Sequence, residues 1–222
     1  MKFKPILFKT VIVRAILEGR KTQTRSIIKF KSLDPAAVGA VHPDGSGKGW
    51  IAWQPGKNVT PEDTKVAYPG EVGFKCPHGA VGDVLWVRET WCWPEFLGPE
   101  DRGWIYKASD NGEAWEKSDE NWKWRPSIFM PKTACRLFLQ ITKIRVERLS
   151  EISEANAIAE GCWLDKSVGP PGYTVYGMPH WFTAKECFEN LWVGINGLKS
   201  LEANPWVWVL TFKLIDKPEG FA

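Results

Sequence analysis

The chain has 222 residues, with 29 Lys or Arg against 26 Asp or Glu, 44% hydrophobic residues and 25% charged ones. Those proportions fit a globular chain that buries a core and exclude collagen-like or disordered composition. No stretch reaches the roughly 20 apolar residues needed to span a bilayer, so no membrane partner is expected. The formal charge of +3 is unevenly spread: residues 1–31 hold nine Lys or Arg against Glu18 alone. That asymmetry points to an anionic or nucleotide-like partner.

Residues 3–8 read as an extended opening segment with no signal-peptide core, so a cytoplasmic protein is expected. Thr10 can cap a short helix whose Ile12, Ala15 and Ile16 share one face, with Gly19 as its stop. Thr22 to Ile28 mixes β-branched and polar residues and suits a strand. Residues 31–70 are dominated by Gly, Pro, Asp and Lys, lose apolar periodicity, and read as a long insertion or surface loop. Val84–Val87 follows the turn signal Val81-Gly82-Asp83 as a strand, and Trp104-Ile105-Tyr106 is another. Asp110 to Trp124 reads as a second insertion.

Arg136 to Leu149 alternates as one long strand with an irregularity. A helix follows with Ile152, Ala155 and Ala159 on its inner side and Gly161 as its stop. The next starts at Thr183, where Glu186 completes a capping box and Phe182 can staple onto Cys187. Its stripe of Phe188, Leu191, Trp192 and Ile195 reads as core. Trp206, Trp208, Leu210, Phe212 and Leu214 then alternate along a half-buried strand. Strands without regular βαβ alternation favour an α+β fold, a small barrel with helices at its ends.

Cys76, Cys92, Cys135, Cys162 and Cys187 are odd in number and irregularly spaced, which argues for reduced thiols. Cys76 and His78 have the chemistry of metal ligands, but no second close-spaced pair completes a tetrahedral site. No metal or other cofactor is expected, and Cys76-Pro77-His78-Gly79 reads as a turn. Walker, dinucleotide-binding, zinc-protease and nucleophile-elbow signatures are all missing, which leaves Lys, Thr, Ser, Asp or Glu for any catalysis.

The densest chemistry lies in Glu18-Gly19-Arg20-Lys21-Thr22-Gln23-Thr24-Arg25-Ser26. Lys21 and Thr24 share a face if this linker keeps a helical turn, and point apart if it is extended. A lysine amine serves as base for a hydroxyl only when its neutral form is favoured by burial or nearby cations. Arg20 and Arg25 are such cations. Arg25, Arg88, Lys132 and Arg136 are candidate phosphate contacts, Glu89 adjoins Arg88 on a strand, and Trp91 is a candidate for flanking a base.

The segment Ile16 to Arg25 resembles the Gly-x-Lys-x-x-Thr-x-Arg signature of the ASCH domain family. The likeness continues in Gly82 to Glu89, in the helix of Leu149 to Gly161 and in the strand of Trp206 to Phe212. It implies one domain over residues 1–222 with a PUA-like β-barrel and flanking helices, interrupted by insertions at about 31–70 and 92–125 as in long phage and prophage members. It also implies a modified nucleoside, RNA or DNA as partner. One branch of the family deacetylates N(4)-acetylcytidine. Carried over, Lys21 would be the base, Thr24 the nucleophile and Glu160 the proton handler, with Glu151 and Glu154 as competing positions. Arg20, Arg25, Arg88, Glu89, Trp91, Lys132 and Arg136 would bind substrate. A non-catalytic nucleic-acid-binding module, a ribonuclease and a phage accessory protein that binds a host protein stand as alternatives.

Overall fold

The computed structural model describes residues 1–30, 33–45, 49–55, 71–92, 103–109, 123–167, 171–175 and 179–221. The elements in chain order are β1 (Phe3–Leu7), α1 (Thr10–Leu17), β2 (Gln23–Ile27), β3 (Ala40–Pro43), β4 (Trp50–Trp53), β5 (Glu71–Phe74), β6 (Val84–Arg88), β7 (Trp91–Cys92) and β8 (Ile105–Tyr106). There follow β9 (Phe138–Arg148), α2 (Glu154–Ala159), β10 (Trp163–Asp165), β11 (Gly172–Thr174), α3 (Ala184–Asn196), α4 (Leu198–Glu202) and β12 (Trp206–Ile215). The fold class is α+β.

A five-stranded sheet in the order β1-β6-β9-β12-β2 carries the molecule. Its centre is the long antiparallel ladder of β9 and β12, whose register shifts between Thr211 and Phe212. That shift is the irregularity expected in the Arg136–Leu149 strand. β12 is more deeply covered than its alternation implies, because Val207 and Val209 are as fully buried as Leu210. A strand buried on both faces needs cover on each. Val207 and Val209 belong to the main core with Val13 and Ile16 of α1 and Phe188 and Leu191 of α3. Trp208 packs edge-on against Trp50 of β4, with ring centroids 5.6 Å apart, and against Phe74 of β5 at 5.3 Å.

Part of that second cover comes from the insertion read at residues 31–70. β3 and β4 lie inside it and pair antiparallel with β5 as a three-stranded meander. Strands of four residues carry too few alternations to show as periodicity. Residues 56–70 and most of the second insertion, 110–122, lie outside the described residues.

The helices also differ in phase from their sequence pattern. Ser153 caps α2 by accepting from Asn156 N, so the helix starts after Ile152. The buried positions are therefore Ile152, Ala157 and Glu160, while Ala155 is exposed. The capping box of Thr183 and Glu186 forms at the start of α3, but Phe182 is 96% exposed and staples nothing. Glu154 fixes that helix start instead, accepting from Ala184 N at 2.8 Å and Lys185 N at 3.3 Å. All five cysteines are free thiols. Among the described residues no helix is long and apolar enough to cross a membrane.

Candidate functional site

The corner between α1 and β2 is tied to the C-terminal end of α2. Lys21 N donates back to Ala15 O, and Thr22 N donates to Ala159 O, both at 2.9 Å. Arg20 donates through a terminal guanidinium nitrogen to Gly161 O at 3.0 Å, and Lys21 Nζ to Glu160 O at 2.9 Å. Cations thus satisfy the open carbonyls at the negative end of α2. Gly161 permits the approach: its φ is +107°, and a Cβ there would lie 3.2 Å from the Ala15 methyl and 3.4 Å from Lys21 Cβ. The linker is therefore neither a helical turn nor plain strand, and it places Lys21 and Thr24 around one cavity.

Within this corner the Glu160 carboxylate is gripped from two sides. Lys21 Nζ lies 2.6 Å from Oε2, and Arg25 donates to Oε1 at 2.9 Å. Lys21, Arg25 and Glu160 are all buried. The network continues from Arg25 to Glu147, and from Glu147 to Arg145 at 2.9 Å. Gln23 Oε1 accepts from both Arg25 and Arg145. The result is a row of alternating charge that runs from buried Lys21 to half-buried Arg145. Of the three competing acids, Glu160 alone reaches Lys21. Glu154 holds the start of α3, and Glu151 accepts from Arg148 N.

The cavity has a volume of about 990 Å³. Lys21, Thr24, Arg25 and Glu160 line one part of it. Phe188, Leu191 and Trp192 of α3 lie in the main core as that stripe implies, Ile195 is exposed, and all four also line another part of the cavity. Periodicity reports that one helix face is apolar, not what the face meets. Ser26, His78, Phe30, Phe74 and Trp208 complete a further stretch, and Lys9, Lys29 and Lys75 add positive charge to the lining. Cys76 and Cys162 are poor nucleophiles here. Burial pushes Cys76 up to about 11, and a hydrogen bond with Cys187 together with burial pushes Cys162 up.

The other residues singled out in the sequence lie elsewhere. Arg25 borders the cavity, but its side chain is fully buried and engaged with Gln23, Glu147 and Glu160, so it positions Glu160 rather than meeting phosphate. Arg20 pairs with Glu18 and lies 4.0 Å from the Trp163 ring centroid. Arg88 donates to Ile128 O and faces the Trp86 ring. Glu89 accepts from Nε and Nη2 along one edge of the Arg136 guanidinium, at 2.9 Å each, while Arg136 stacks on Tyr106. Trp91 packs in a separate small core with Met130 and Ala134. Lys132 sits over Phe221. None of these six lines the cavity. Charge and aromaticity in sequence do not say which cavity a side chain borders, and these six lie away from this one.

Ser26 and His78 escaped the sequence reading. Ser26 was legible as a second hydroxyl on the face of Thr24, two residues along the strand. His78 reaches it from the expected turn 52 residues later, and nothing local signals that approach. The N–H groups of Lys21 and Thr22 are already bonded, so they supply no oxyanion site. Among the described residues no group of three or more His, Cys, Asp or Glu gathers as metal ligands. Comparison with protein-family models, with curated proteins and with solved structures finds no match to this chain.

Proposed function

We propose that the chain is an ASCH-type amidohydrolase that removes the acyl group from an N(4)-acylated cytidine, free or within RNA. The observation that carries this reading is the Lys21 ammonium, 2.6 Å from the buried Glu160 carboxylate, in the wall of a cavity that Thr24 also lines. Amide hydrolysis needs a nucleophile and a group that takes its proton and later returns one to the leaving nitrogen.

Thr24 Oγ1 attacks the acyl carbon and the carbonyl electron pair moves onto oxygen, beside the Lys21 cation. The hydroxyl proton passes to Lys21 Nζ as Lys21 hands one of its own to Glu160. On collapse the carbon–nitrogen bond breaks, N4 takes a proton from Lys21, and Glu160 returns its proton to Lys21. Cytidine leaves and the acyl group stays as an ester on Thr24. Water then adds through the same relay, the ester bond breaks, Thr24 regains its proton, and the carboxylic acid departs. Arg25 keeps Glu160 aligned throughout.

The test is incubation of the purified protein with N(4)-acetylcytidine, followed by chromatography for cytidine, beside Thr24→Val and Lys21→Arg. Cytidine from the unmutated protein alone is the expected result. Equal turnover by both variants would overturn the assignment.

The lysines favour a second reading, as a binder of nucleic-acid phosphate. Lys29 and Lys75 are exposed and line the cavity. In that case oligonucleotide affinity falls steeply with added salt and no acyl group is released. A salt-insensitive affinity would exclude it.

A further inference from the structure

The amide chemistry uses one stretch of the cavity and leaves another, equally organised stretch without a task. Ser26 follows Thr24 on the same face of β2, roughly 7 Å further along the strand. Its Oγ lies 2.9 Å from His78 Nε2. His78 is supplied by the turn after β5, and burial holds its imidazole below the ordinary histidine value, with Lys4 adding to the effect. Trp208 is the residue paired with Ser26 across the β2–β12 ladder. Phe30, Phe74 and Trp208 form a run of ring contacts, 5.4 Å and then 5.3 Å between centroids. All five side chains line the cavity.

We infer that Ser26, His78, Phe30, Phe74 and Trp208 form a nucleobase subsite. A pyrimidine ring lies against the aromatic side chains and turns the edge away from its acyl nitrogen toward Ser26. The inference rests on the amidohydrolase reading and deepens it by saying how the substrate is held. A hydroxyl bonded to a neutral imidazole suits this task, because the partner stays neutral and the pair has two states. With the proton on Nε2, His78 donates to Ser26 and the hydroxyl hydrogen is free for a ring acceptor such as the cytosine O2 or N3. With the proton on Nδ1, Ser26 donates to His78 and presents lone pairs instead. Aromatic faces supply stacking that tolerates any base, so the hydrogen-bonding edge is what selects among them. Separation along β2 keeps this edge apart from Thr24 by a distance comparable with the span of a substituted pyrimidine.

Cytidine, the product, serves as the probe, since its binding needs no turnover. Calorimetric titration should give an affinity that falls about tenfold in Ser26→Ala and in His78→Asn, the size of one lost hydrogen bond. The double variant should be no weaker than either single one, because the two side chains act as a unit. Ser26→Thr, which keeps the hydroxyl, should retain binding and shows that loss in Ser26→Ala is not misfolding. In turnover of N(4)-acetylcytidine the same substitutions should raise KM about tenfold and leave kcat within about threefold.

Cytidine binding that depends on Ser26 and His78 without any turnover would remove the amidohydrolase reading and leave the subsite standing. Unchanged affinity in both single variants, or no cytidine binding by the unmutated protein, would overturn the subsite. Loss of kcat at constant KM in Ser26→Ala would make Ser26 a nucleophile and overturn it equally.

Discussion

Two carboxylates among the described residues are buried beside cations, and they are held in different ways. Glu89 gives both oxygens to one guanidinium, that of Arg136, which stacks on Tyr106 and keeps 27% of its side chain exposed. Each Glu89 oxygen meets a fixed donor of that one guanidinium, and neither residue borders the cavity. Glu160 divides its oxygens between two cations on different backbone segments, and one of them, Lys21, adjoins the cavity together with a hydroxyl. A fork-to-fork guanidinium pair is a fastening. An ammonium shared between a carboxylate and an open space can exchange a proton. Burial of an ion pair therefore says little about function until the geometry of both oxygens and the neighbouring space is known.

Replacing each acid tests that contrast most strongly. Glu160→Gln leaves Lys21 and Arg25 buried without their shared counter-charge, which should cost about 3–5 kcal/mol of stability and abolish turnover. Glu89→Gln should also destabilise, by less, because Arg136 reaches water, and turnover per folded molecule should be unchanged. Urea midpoints and acetylcytidine turnover on both variants decide this. A folded but inactive Glu89→Gln protein would erase the distinction.

Thr24→Val isolates the hydroxyl that lines the cavity. It should lower turnover at least about a thousandfold, as loss of a nucleophile does, while stability changes by less than about 1 kcal/mol. Gly161→Ala probes the corner instead of the chemistry. Strained backbone at positive φ, with the new methyl pressed on Ala15 and Lys21, should cost about 1–3 kcal/mol and reduce turnover through displaced Lys21. Crystallography of that variant should show the Lys21–Glu160 contact lengthened.

The smallest effect concerns pH. His78 in the fold takes a proton less readily than the unfolded chain does at its ordinary value of 6.5, because burial disfavours the cation. Unfolding therefore takes up a proton as pH falls below that value. The stability present above it declines on the acid side. Urea midpoints should fall more between about pH 7 and pH 5 in the unmutated protein than in His78→Gln. Parallel profiles would detach His78 from that limb.

Sequence made the sheet legible where strands are long and alternate, as in β9 and β12, and where a cap has a fixed spacing, as at Thr183 and Glu186. It left β3 and β4 unread, since four residues among Gly, Pro and Asp set no period. Lys21, Thr24 and Glu160 could be singled out through a local motif and a helix end. Arg25 could not be placed, because a strand argine's role depends on what stands across the sheet, here Gln23, Glu147 and Glu160. His78 could not be placed either, because its partner lies 52 positions away.

The distance between Lys21 and Glu160 along the chain, 139 positions, has a consequence for synthesis. At roughly 5–20 residues per second, translation needs roughly seven to thirty seconds to reach the acid after the lysine is made. β2 must wait longer, because its ladder partner is β12, at residues 206–215. Through that interval the cationic segment of residues 1–31 is outside its final pairing, next to a ribosome rich in phosphate. The corner that joins Lys21, Arg25 and Glu160 is thus among the last parts of the molecule to be assembled, and incomplete nascent chains lack it by geometry alone.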